Sequence, residues 1–417
     1  LMSTTDSIPA STVPARGASS IRIKLSRDDY ALRTGLVVVI SLLAILVVLP
    51  LYSLLSKSLE DMDGNFVGLQ NFQEYFQTPA LLTSITNSLS VAFFSAIIVL
   101  VLAFIYAYAL TRTKMPFRLF FRGVALIPIL APSLLAAISL IYWFGTQGVL
   151  KSWLFGASIY GPIGVIMASC FWVFPHALMI LITALSTADA RLYEAAEALR
   201  TPKWRIFWTV TLPGAKYGIL STGFIVFTLV ITDFGVPKVI GGNFNVLATD
   251  VYKQVVGQQN FEMGAVVSLV LLLPAVAAFI ADRWVQSKQV ALLSARAVPF
   301  QPKSEPLRDW LLFGFCATIA FIFLAMLGMA AYASFVTFWP YNLTLSLNNY
   351  DFDLMDGGGW EAYFNSIRLA IYCAVFGSGL IFFGSYLVEK ARGVSWLRTI
   401  LHLIAMMPLA IPGLVLG

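Results

Sequence analysis

The sequence has few charged residues and almost none of the side chains that bind metal ions. Charged residues make up 12% of the 417 residues and hydrophobic residues 59%, whereas an average soluble domain is about 25% charged. A water-soluble fold of this length could not bury so much apolar surface, so lipid is expected to surround much of the chain. The two histidines, His176 and His402, lie far apart, and we predict neither a metal site nor a cofactor.

The cysteines and the charge distribution exclude further classes of protein. Cys170, Cys316 and Cys373 each lie in an apolar run, so we interpret them as buried hydrophobic residues and not as a disulfide framework. No cluster of acid, base and nucleophile is apparent within the apolar runs, which disfavours a membrane-embedded enzyme. The net charge of +6 comes from short basic clusters between apolar runs, which favours a membrane protein over a nucleic-acid-binding one.

Uncharged runs long enough to cross a bilayer recur along the chain. A spanning helix needs about 20 apolar residues, because the hydrocarbon core is about 30 Å thick and each residue rises about 1.5 Å. The predicted fold class is all-α, a polytopic transmembrane helical bundle. The predicted helices are 35–56, 86–111, 123–145, 161–184, 217–236, 263–281, 309–335, 365–388 and 399–417.

Basic clusters follow every second predicted helix. They lie at 112–122, 200–216, 283–308 and 390–398, and the loops between them hold few positive charges. The positive-inside rule therefore makes these connections and the N-terminus cytoplasmic. Residues 1–33 are polar and rich in Ser, Thr and Pro, and we predict a disordered cytoplasmic tail there.

An internal repeat is visible at an offset of 278 residues. Shared Asn-Ser and Pro-x-x-x-Pro positions occur in the same order in both copies, which composition alone does not explain. The four prolines are predicted to kink the third helix of each copy. The matched residues are Asn71 with Asn349, Asn87 with Asn365, and, two residues further on in register, Pro128 and Pro132 with Pro408 and Pro412.

The repeat predicts how the chain is divided. Residues 34–281 form one complete unit of about six helices, 282–308 a cytoplasmic linker, and 309–417 the first three helices of a second unit. Gly417 falls inside the third helix of that second unit, where the last carbonyl groups would lack partners in lipid. We therefore expect this chain to be a truncated product of a protein with roughly twelve helices.

The connection between the fourth and fifth predicted helices is rich in helix-forming residues. Asp189 can cap a first helix, and Thr201-Pro202 can restart a second one, with Thr as the N-cap and Pro at the first helical position. The first helix has one apolar face at spacing i, i+3, i+4, i+7, formed by Leu192, Ala195, Ala196 and Leu199. We predict two short amphipathic helices on the cytoplasmic face, a pattern that an interfacial helix lying on lipid would also show.

This connection resembles the EAA loop of the inner-membrane permeases of binding-protein-dependent ABC importers. The family pattern is Glu-Ala-Ala, three residues, Gly, nine residues, an aliphatic residue, any residue, and Leu-Pro. The sequence keeps that spacing with Glu194-Ala195-Ala196 and Leu212-Pro213. The resemblance extends along the whole chain through the helix order and the repeat.

One position departs from the family pattern, because its Gly falls on Arg200. A non-Gly residue with positive φ costs about 1–2 kcal/mol. Either Arg200 bears that strain, or Thr201-Pro202 gives the turn another shape.

The resemblance implies a permease subunit in the bacterial inner membrane that has no catalytic residues. It implies two copies of a separate cytoplasmic ATP-binding subunit, docked through residues 189–213, and a periplasmic solute-binding protein. The sequence contains no Gly-rich ATP-binding loop. An ion-coupled secondary transporter is less favoured, because acids within the predicted spans are scarce. The residues assigned to ATPase coupling are Glu194, Ala195, Ala196, Leu199, Arg200, Leu212 and Pro213.

Few residues are candidates for the substrate path. Asp233 follows an apolar run and precedes a Gly and a Pro that break the helix, so it could face the path near its outer mouth or act as a loop or cap residue. Asn87 and Asn365 occupy equivalent positions in the two units, where they could line the path, cap helices or form interhelical hydrogen bonds.

The resemblance favours 2-aminoethylphosphonate or a similar small solute as the substrate, with ferric iron as the alternative. Two permease units in one chain look like the subgroup that serves ferric iron and phosphonate-type solutes. Residues 232–242 and 245–254 look most similar to 2-aminoethylphosphonate permeases, whereas ferric-iron permeases share the Asp-Phe-Gly and a Thr-x-x-Tyr-like stretch. Lys238 and Lys253 could favour an anionic solute or the acidic rim of a binding protein, or they could be ordinary loop charges.

Overall fold

The structure is a computed structural model that describes residues 26–290, 298, 300–354, 358–391, 394–411 and 413. Within them, seven helices are long and apolar enough to cross a membrane, or up to eight if a bent pair forms one span. This confirms the predicted class, a polytopic helical membrane bundle. The predicted positions Arg392, Pro412 and Gly417 lie outside the described residues.

The described elements follow one another with short connections. In chain order they are α1 (Arg27–Ser58), α2 (Gln70–Gln77), α3 (Pro79–Arg112), α4 (Arg118–Leu126), α5 (Ser133–Phe144), α6 (Pro162–Ser186), α7 (Ala190–Ala198), α8 (Lys203–Ile231), α9 (Gly235–Ile240), α10 (Leu247–Tyr252), α11 (Phe261–Val290), α12 (Pro306–Phe335), β1 (Val336–Phe338), β2 (Asn342–Leu345), α13 (Gly359–Lys390) and α14 (Ser395–Ala410).

Helices α3, α6, α8 and α11 form the centre of the bundle. Their contacts use small side chains, such as the fully buried Ala103 and Ala177. At Gly218 in α8, an added Cβ would lie 2.2 Å from the Cβ of Ala184 in α6. Lipid provides no hydrophobic drive between helices, so close contact of small residues is what holds such helices together.

The first helix of each predicted unit packs against the other unit. The first half of α1 places Leu36 and Val39 in a buried cluster with Leu387, Ala391 and Leu401, near the connection of α13 and α14. Conversely, α12 packs against α3, α4 and α5. The two units therefore contact each other through their first helices.

The predicted N-terminal tail is too long. Helix α1 begins at Arg27, because Ser26 and Asp29 form a capping box. The Asp29 backbone N–H donates to Ser26 Oγ at 3.2 Å, and the Ser26 backbone N–H donates to Asp29 Oδ2 at 2.9 Å. Capping boxes satisfy backbone N–H groups that a helix start leaves free. The disordered-tail prediction is therefore wrong for 27–33, and residues 1–25 lie outside the described residues.

The predicted helix at 123–145 is broken into two. The segments Arg118–Leu130 and Ser133–Phe144 meet at an angle of 103°. Pro132 has an extended backbone (φ −65°, ψ 149°) immediately before α5, and a proline has no N–H to continue the helical hydrogen bonds. The kink predicted at Pro128 and Pro132 is thus a full break, whereas Pro408 lies within α14.

The linker is shorter than predicted. Helix α11 continues to Val290, past the predicted end at residue 281, and α12 begins at Pro306. Residues 291–297 and 299 lie outside the described residues, and 298 and 300–305 have no regular secondary structure.

The sequence repeat has a counterpart in local geometry. The Asn71 side-chain amide donates to two backbone oxygens at the end of α1. One belongs to Ser58 (3.0 Å), the last residue of the helix, and the other to Glu60 (2.8 Å), two residues after it. The equivalent Asn349 donates in the same way to the backbone oxygens of Ser334 (3.1 Å), in the last turn of α12, and Val336 (2.7 Å), directly after it. Each asparagine satisfies carbonyl groups that the end of a helix leaves free.

Replacing Asn349 should destabilise the protein. We expect Asn349→Ala to lower the free energy of unfolding by about 1–3 kcal/mol, because two carbonyl groups lose their donor. The exposed neighbour Asn348 has no side-chain hydrogen bond in the described part of the chain, so Asn348→Ala should change stability by less than about 0.5 kcal/mol. Thermal unfolding of both variants in detergent tests this, and equal midpoints would contradict it.

Candidate functional site

Helix α7 is a short helix fixed to the start of the α8 span. Asp189 caps it as predicted, accepting a hydrogen bond from the Arg191 backbone N–H at 3.1 Å. Tyr193 is 7% exposed and donates from its hydroxyl to Thr211 Oγ1 at 3.0 Å. A displacement of α7 would therefore act directly on α8.

The predicted apolar face of α7 points away from the bundle. Leu192 and Leu199 are 57% and 80% exposed, and Ala195 is also exposed, whereas Ala196, the fourth member of this face, is half-buried. Glu194 lies beside them and has no ion pair within the described part of the chain. We call Leu192, Glu194, Ala195 and Leu199 the α7 surface, a small apolar patch with one unpaired carboxylate.

Arg200 has a left-handed backbone conformation, one of the two alternatives that its departure from the family pattern left open. Its φ is +53°. The Arg200 N–H donates to the oxygen of Glu197 (2.8 Å) and the Thr201 N–H to that of Ala196 (3.0 Å), which is the Schellman pattern of a helix end. Of the two alternatives, the left-handed arginine is the one the structure has.

The second predicted surface helix is not separate. Pro202 precedes the first helical turn, and α8 runs as one span from Lys203 to Ile231. The ring of Phe207 packs on Phe104 and Tyr108 of α3, with centroid distances of 6.1 and 5.9 Å, so this segment is held against the bundle.

The predicted coupling residues Leu212 and Pro213 lie inside α8. Leu212 is half-buried and Pro213 is exposed. A π-helical turn at Phe207–Thr211 comes directly before them. Because Pro213 has no backbone N–H, the carbonyl group of Thr209, four residues earlier, receives no helical hydrogen bond from it.

The linker runs along α7, a contact the sequence did not predict. The backbone N–H of Ala190 donates to the oxygen of Val298 at 2.9 Å, and the Phe300 ring lies 4.6 Å from that of Tyr193. Lys303 forms an ion pair with Glu197. The linker then contacts the start of α8, where Lys203 Nζ lies 2.6 Å from Glu305 Oε2.

Arg112, at the end of α3, contacts α6, α7 and the linker. The sequence predicted it only as one member of a basic cluster. It is 3% exposed, donates to the Leu185 oxygen at 2.7 Å, and lies over the rings of Tyr193 (4.9 Å) and Phe300 (4.3 Å). The 112–122 connection therefore lies on the same face as α7. Its place in the last turn of α3, where a cation interacts favourably with the helix dipole, was the one sequence feature that pointed to Arg112.

The contacts of Asp233 are those of a capping and bridging residue. Its carboxylate accepts hydrogen bonds from Ser133 Oγ (3.1 Å) and from the backbone N–H of Val236 (3.0 Å). It thereby joins the end of α8 and α9 to the first turn of α5, directly after the break. Burial raises the pKa of this carboxyl, and the two hydrogen bonds oppose the rise.

The two equivalent asparagines have different surroundings. Asn87 donates to the backbone oxygen of Asn245 at 2.9 Å, so it connects α3 to the loop before α10. Asn365 is exposed and lies 3.4 Å from Arg368 on its own helix. The structure does not bring Asp233, Asn87 and Asn365 together by any hydrogen bond among the described residues.

Three buried acids among the described residues escaped prediction: Asp282, Asp250 and Asp309, of which Asp309 is 6% exposed and pairs with Arg308. Asp282 is 3% exposed and accepts hydrogen bonds from Ser221 and from Gln286; it was missed because α11 was predicted to end at residue 281. Asp250, on α10, is 5% exposed and has one carboxylate oxygen without a hydrogen bond, and burial raises its pKa. The described residues contain no group of three or more His, Cys, Asp or Glu suited to a metal ion.

The described elements form a multi-pass helical membrane bundle. Residues 100–290 match the model of the family described as binding-protein-dependent transport system inner membrane component. This match agrees with the resemblance of the EAA-like segment to the inner-membrane permeases of binding-protein-dependent ABC importers.

Curated relatives cover nearly the whole chain. A permease protein of Haemophilus influenzae named for ferric transport is 26% identical over 96% of this chain and 65% of its own length. The ferric transport system permease protein of Actinobacillus pleuropneumoniae is 25% identical over 95% of this chain and 59% of its own. The chain thus spans about three fifths to two thirds of the length of these relatives.

A solved structure shares the fold. The bacterial alginate ABC transporter, in complex with an alginate-bound periplasmic protein, aligns with a TM-score of 0.52 and 15% identity. The alignment covers 65% of this chain and 97% of the chain in that structure.

Glycine at position 200 should stabilise the end of α7. Arg200→Gly removes a strain of about 1–2 kcal/mol and adds chain entropy to the unfolded state, for a net gain of up to about 1 kcal/mol. Arg200→Val should instead destabilise this turn, because a β-branched residue tolerates positive φ poorly. Hydrogen exchange of the Thr201 amide measures local opening; slower exchange in the Val variant than in the Gly variant would contradict the expectation.

Proposed function

We propose that this chain is the membrane subunit of an ABC importer and that a separate cytoplasmic ATP-binding subunit docks on the α7 surface. The observation that supports this most is the exposed apolar face of α7 with its unpaired Glu194. An interfacial helix lying on lipid would bury such a face in the bilayer. A groove with apolar walls and a basic residue would match both features.

The contacts of α7 suggest how movement of the ATPase reaches the bundle. Tyr193 and Thr211 connect α7 to the start of α8, a central span. Val298, Lys303 and Glu305 connect the α7–α8 segment to the linker and so to α12. A displacement of α7 would then move one helix of each predicted unit, which is the relative motion that alternating access requires.

The proposed orientation places the α7 face in the cytoplasm together with the N-terminus. One basic residue from each of three predicted clusters lies on that face. These residues are Arg112, Lys203 and Lys303, which contact Leu185, Glu305 and Glu197, respectively. The positive-inside rule assigns that face to the cytoplasm. A periplasmic solute-binding protein would then bind the opposite face, which contains the β1–β2 hairpin and the segment from α9 to α10.

For the substrate we propose a small solute delivered by that binding protein, with ferric iron placed before 2-aminoethylphosphonate. Two ferric-transport relatives matching 95–96% of the chain favour iron. Two lysines that could favour an anionic solute have partners within the protein, because Lys238 lies over the Tyr252 ring (4.4 Å) and Lys253 donates to the side-chain oxygen of Asn245. Both lysines are thus used within the outer segment itself.

Reversing the charge of Glu194 should release the ATPase. We expect Glu194→Lys to weaken co-purification of the ATP-binding subunit by at least about tenfold, because a charged interface contact becomes repulsive. The matched control is Glu74→Lys, the same charge reversal at an exposed position of α2 on the opposite face. The measurement is the ATPase retained by affinity-purified permease in detergent.

Two outcomes would contradict the docking proposal. One is full retention of the ATPase by the Glu194→Lys variant, and the other is an equal loss in the Glu74→Lys variant, which would indicate a general effect of charge. Circular dichroism of both variants should show unchanged helix content, since both side chains are exposed.

Uptake separates the two substrates. In cells that express the permease, its binding protein and its ATPase, we expect accumulation of radiolabelled ferric iron to fall at least about tenfold in the Glu194→Lys variant, following the loss of the ATPase. Uptake of 2-aminoethylphosphonate should not depend on the variant. If the Glu194→Lys change instead lowers uptake of 2-aminoethylphosphonate and leaves iron uptake unchanged, the assignment of iron as the substrate is overturned in favour of the phosphonate.

A further inference from the structure

A cavity of about 420 Å³ lies beside α7 but apart from the α7 surface. It is formed where the end of α3, the start of α4 and the end of α6 meet the linker residue Phe300. Leu192, Glu194 and Leu199 do not line it, so it is distinct from the proposed docking patch.

Three guanidinium groups line the cavity and no acidic side chain does. They belong to Arg112, Arg118 and Arg122. None of the three forms an ion pair within the described residues. Arg118 donates to the Thr113 backbone oxygen at 3.1 Å, and Arg122 is exposed. The cavity therefore has a concentrated positive charge without a protein counter-ion.

Arg112 is the buried part of this site. It is 3% exposed, and its Nε has no hydrogen-bond partner. Its neighbours are a carbonyl group, Tyr193 and Phe300, which stabilise a cation but do not neutralise it. Burying a charge without a counter-ion is unfavourable, so an anion in the cavity would stabilise the folded protein.

The remaining walls are apolar and reach the end of a membrane span. Leu110, Ile182 and Leu185 come from the last turns of α3 and α6, and Leu119 is 84% exposed at the rim. A ligand that combines a phosphate group with a hydrocarbon chain would match the basic and the apolar walls together. Basic pockets between membrane helices on the cytoplasmic side favour such head groups.

We propose that this cavity binds the phosphate group of an anionic phospholipid. The chemistry recognised is a phosphate anion held by Arg112, Arg118 and Arg122, and the apolar rim selects the lipid over free phosphate. The site involves neither Glu194 nor the ATPase, so this proposal and the proposed function can fail separately.

The test is lipid binding to the purified protein, measured by native mass spectrometry and by the thermal unfolding midpoint in detergent. Phosphatidylglycerol should bind and raise the midpoint, because a ligand specific for the folded state stabilises it. Arg122→Gln should weaken this binding by about fivefold, the effect of one basic residue at an anionic head group. The matched control is Lys114→Gln, which removes one charge from the same connection at an exposed position that does not line the cavity. It should change the binding by less than about twofold.

The comparison ligands identify the source of the phosphate. Phosphatidylcholine should bind more weakly than phosphatidylglycerol, and inorganic phosphate should raise the midpoint less than the lipid does at equal ionic strength. If phosphate alone reproduces the full shift and the dependence on Arg122, the site takes a soluble anion and the lipid assignment is overturned. Equal binding of both lipids, or equal weakening by the Lys114 and Arg122 variants, would overturn the anion site as a whole.

Discussion

The burial of the Arg112 guanidinium group is the interaction on which the α7 face depends. One side chain at the end of α3 contacts the last turn of α6, the ring of Tyr193 on α7 and the ring of Phe300 on the linker. Helix α3, the adjoining segments α6 and α7, and the linker are therefore held together by one cation. Removing such a group leaves the surrounding carbonyl and aromatic groups without the charge that orders them.

This arrangement gives the connection between α6 and α8 two mechanical links. Through Tyr193 it is fixed to a central span, and through the linker residues Lys303 and Glu305 it is tied to the first helix of the second unit. The ion pairs are exposed and contribute little stability each. Their importance is geometric, because they place the start of α12 next to the segment proposed to receive the ATPase.

A strained turn and exposed leucines occur together in and directly after α7. Arg200 has a left-handed backbone, and the leucines of the α7 surface lie outside the bundle. A stable fold would normally avoid both a strained turn and exposed leucines. Their occurrence together, beside a carboxylate without a partner, is typical of a surface that a second protein completes.

The amino-acid sequence was sufficient for the features that depend on local chemistry. The spans follow from apolar length, because a bilayer offers no hydrogen bonds to an unfolded backbone. The cap at Asp189 follows from neighbouring residues, and the repeat follows from pairs such as Asn71 and Asn349. At Arg200 the sequence left two shapes of the turn open, and the structure has the left-handed one.

Only the tertiary structure decided the features that depend on distant residues. The second surface helix merged into α8 because Phe207 packs on α3, and Asp233 acquired partners on α5. The burial of Arg112, the course of the linker over α7 and the basic cavity beside it likewise join segments far apart in the chain. Periodicity and capping describe a single helix, whereas burial and charge compensation depend on which helices become neighbours, and the packing of the whole bundle determines that.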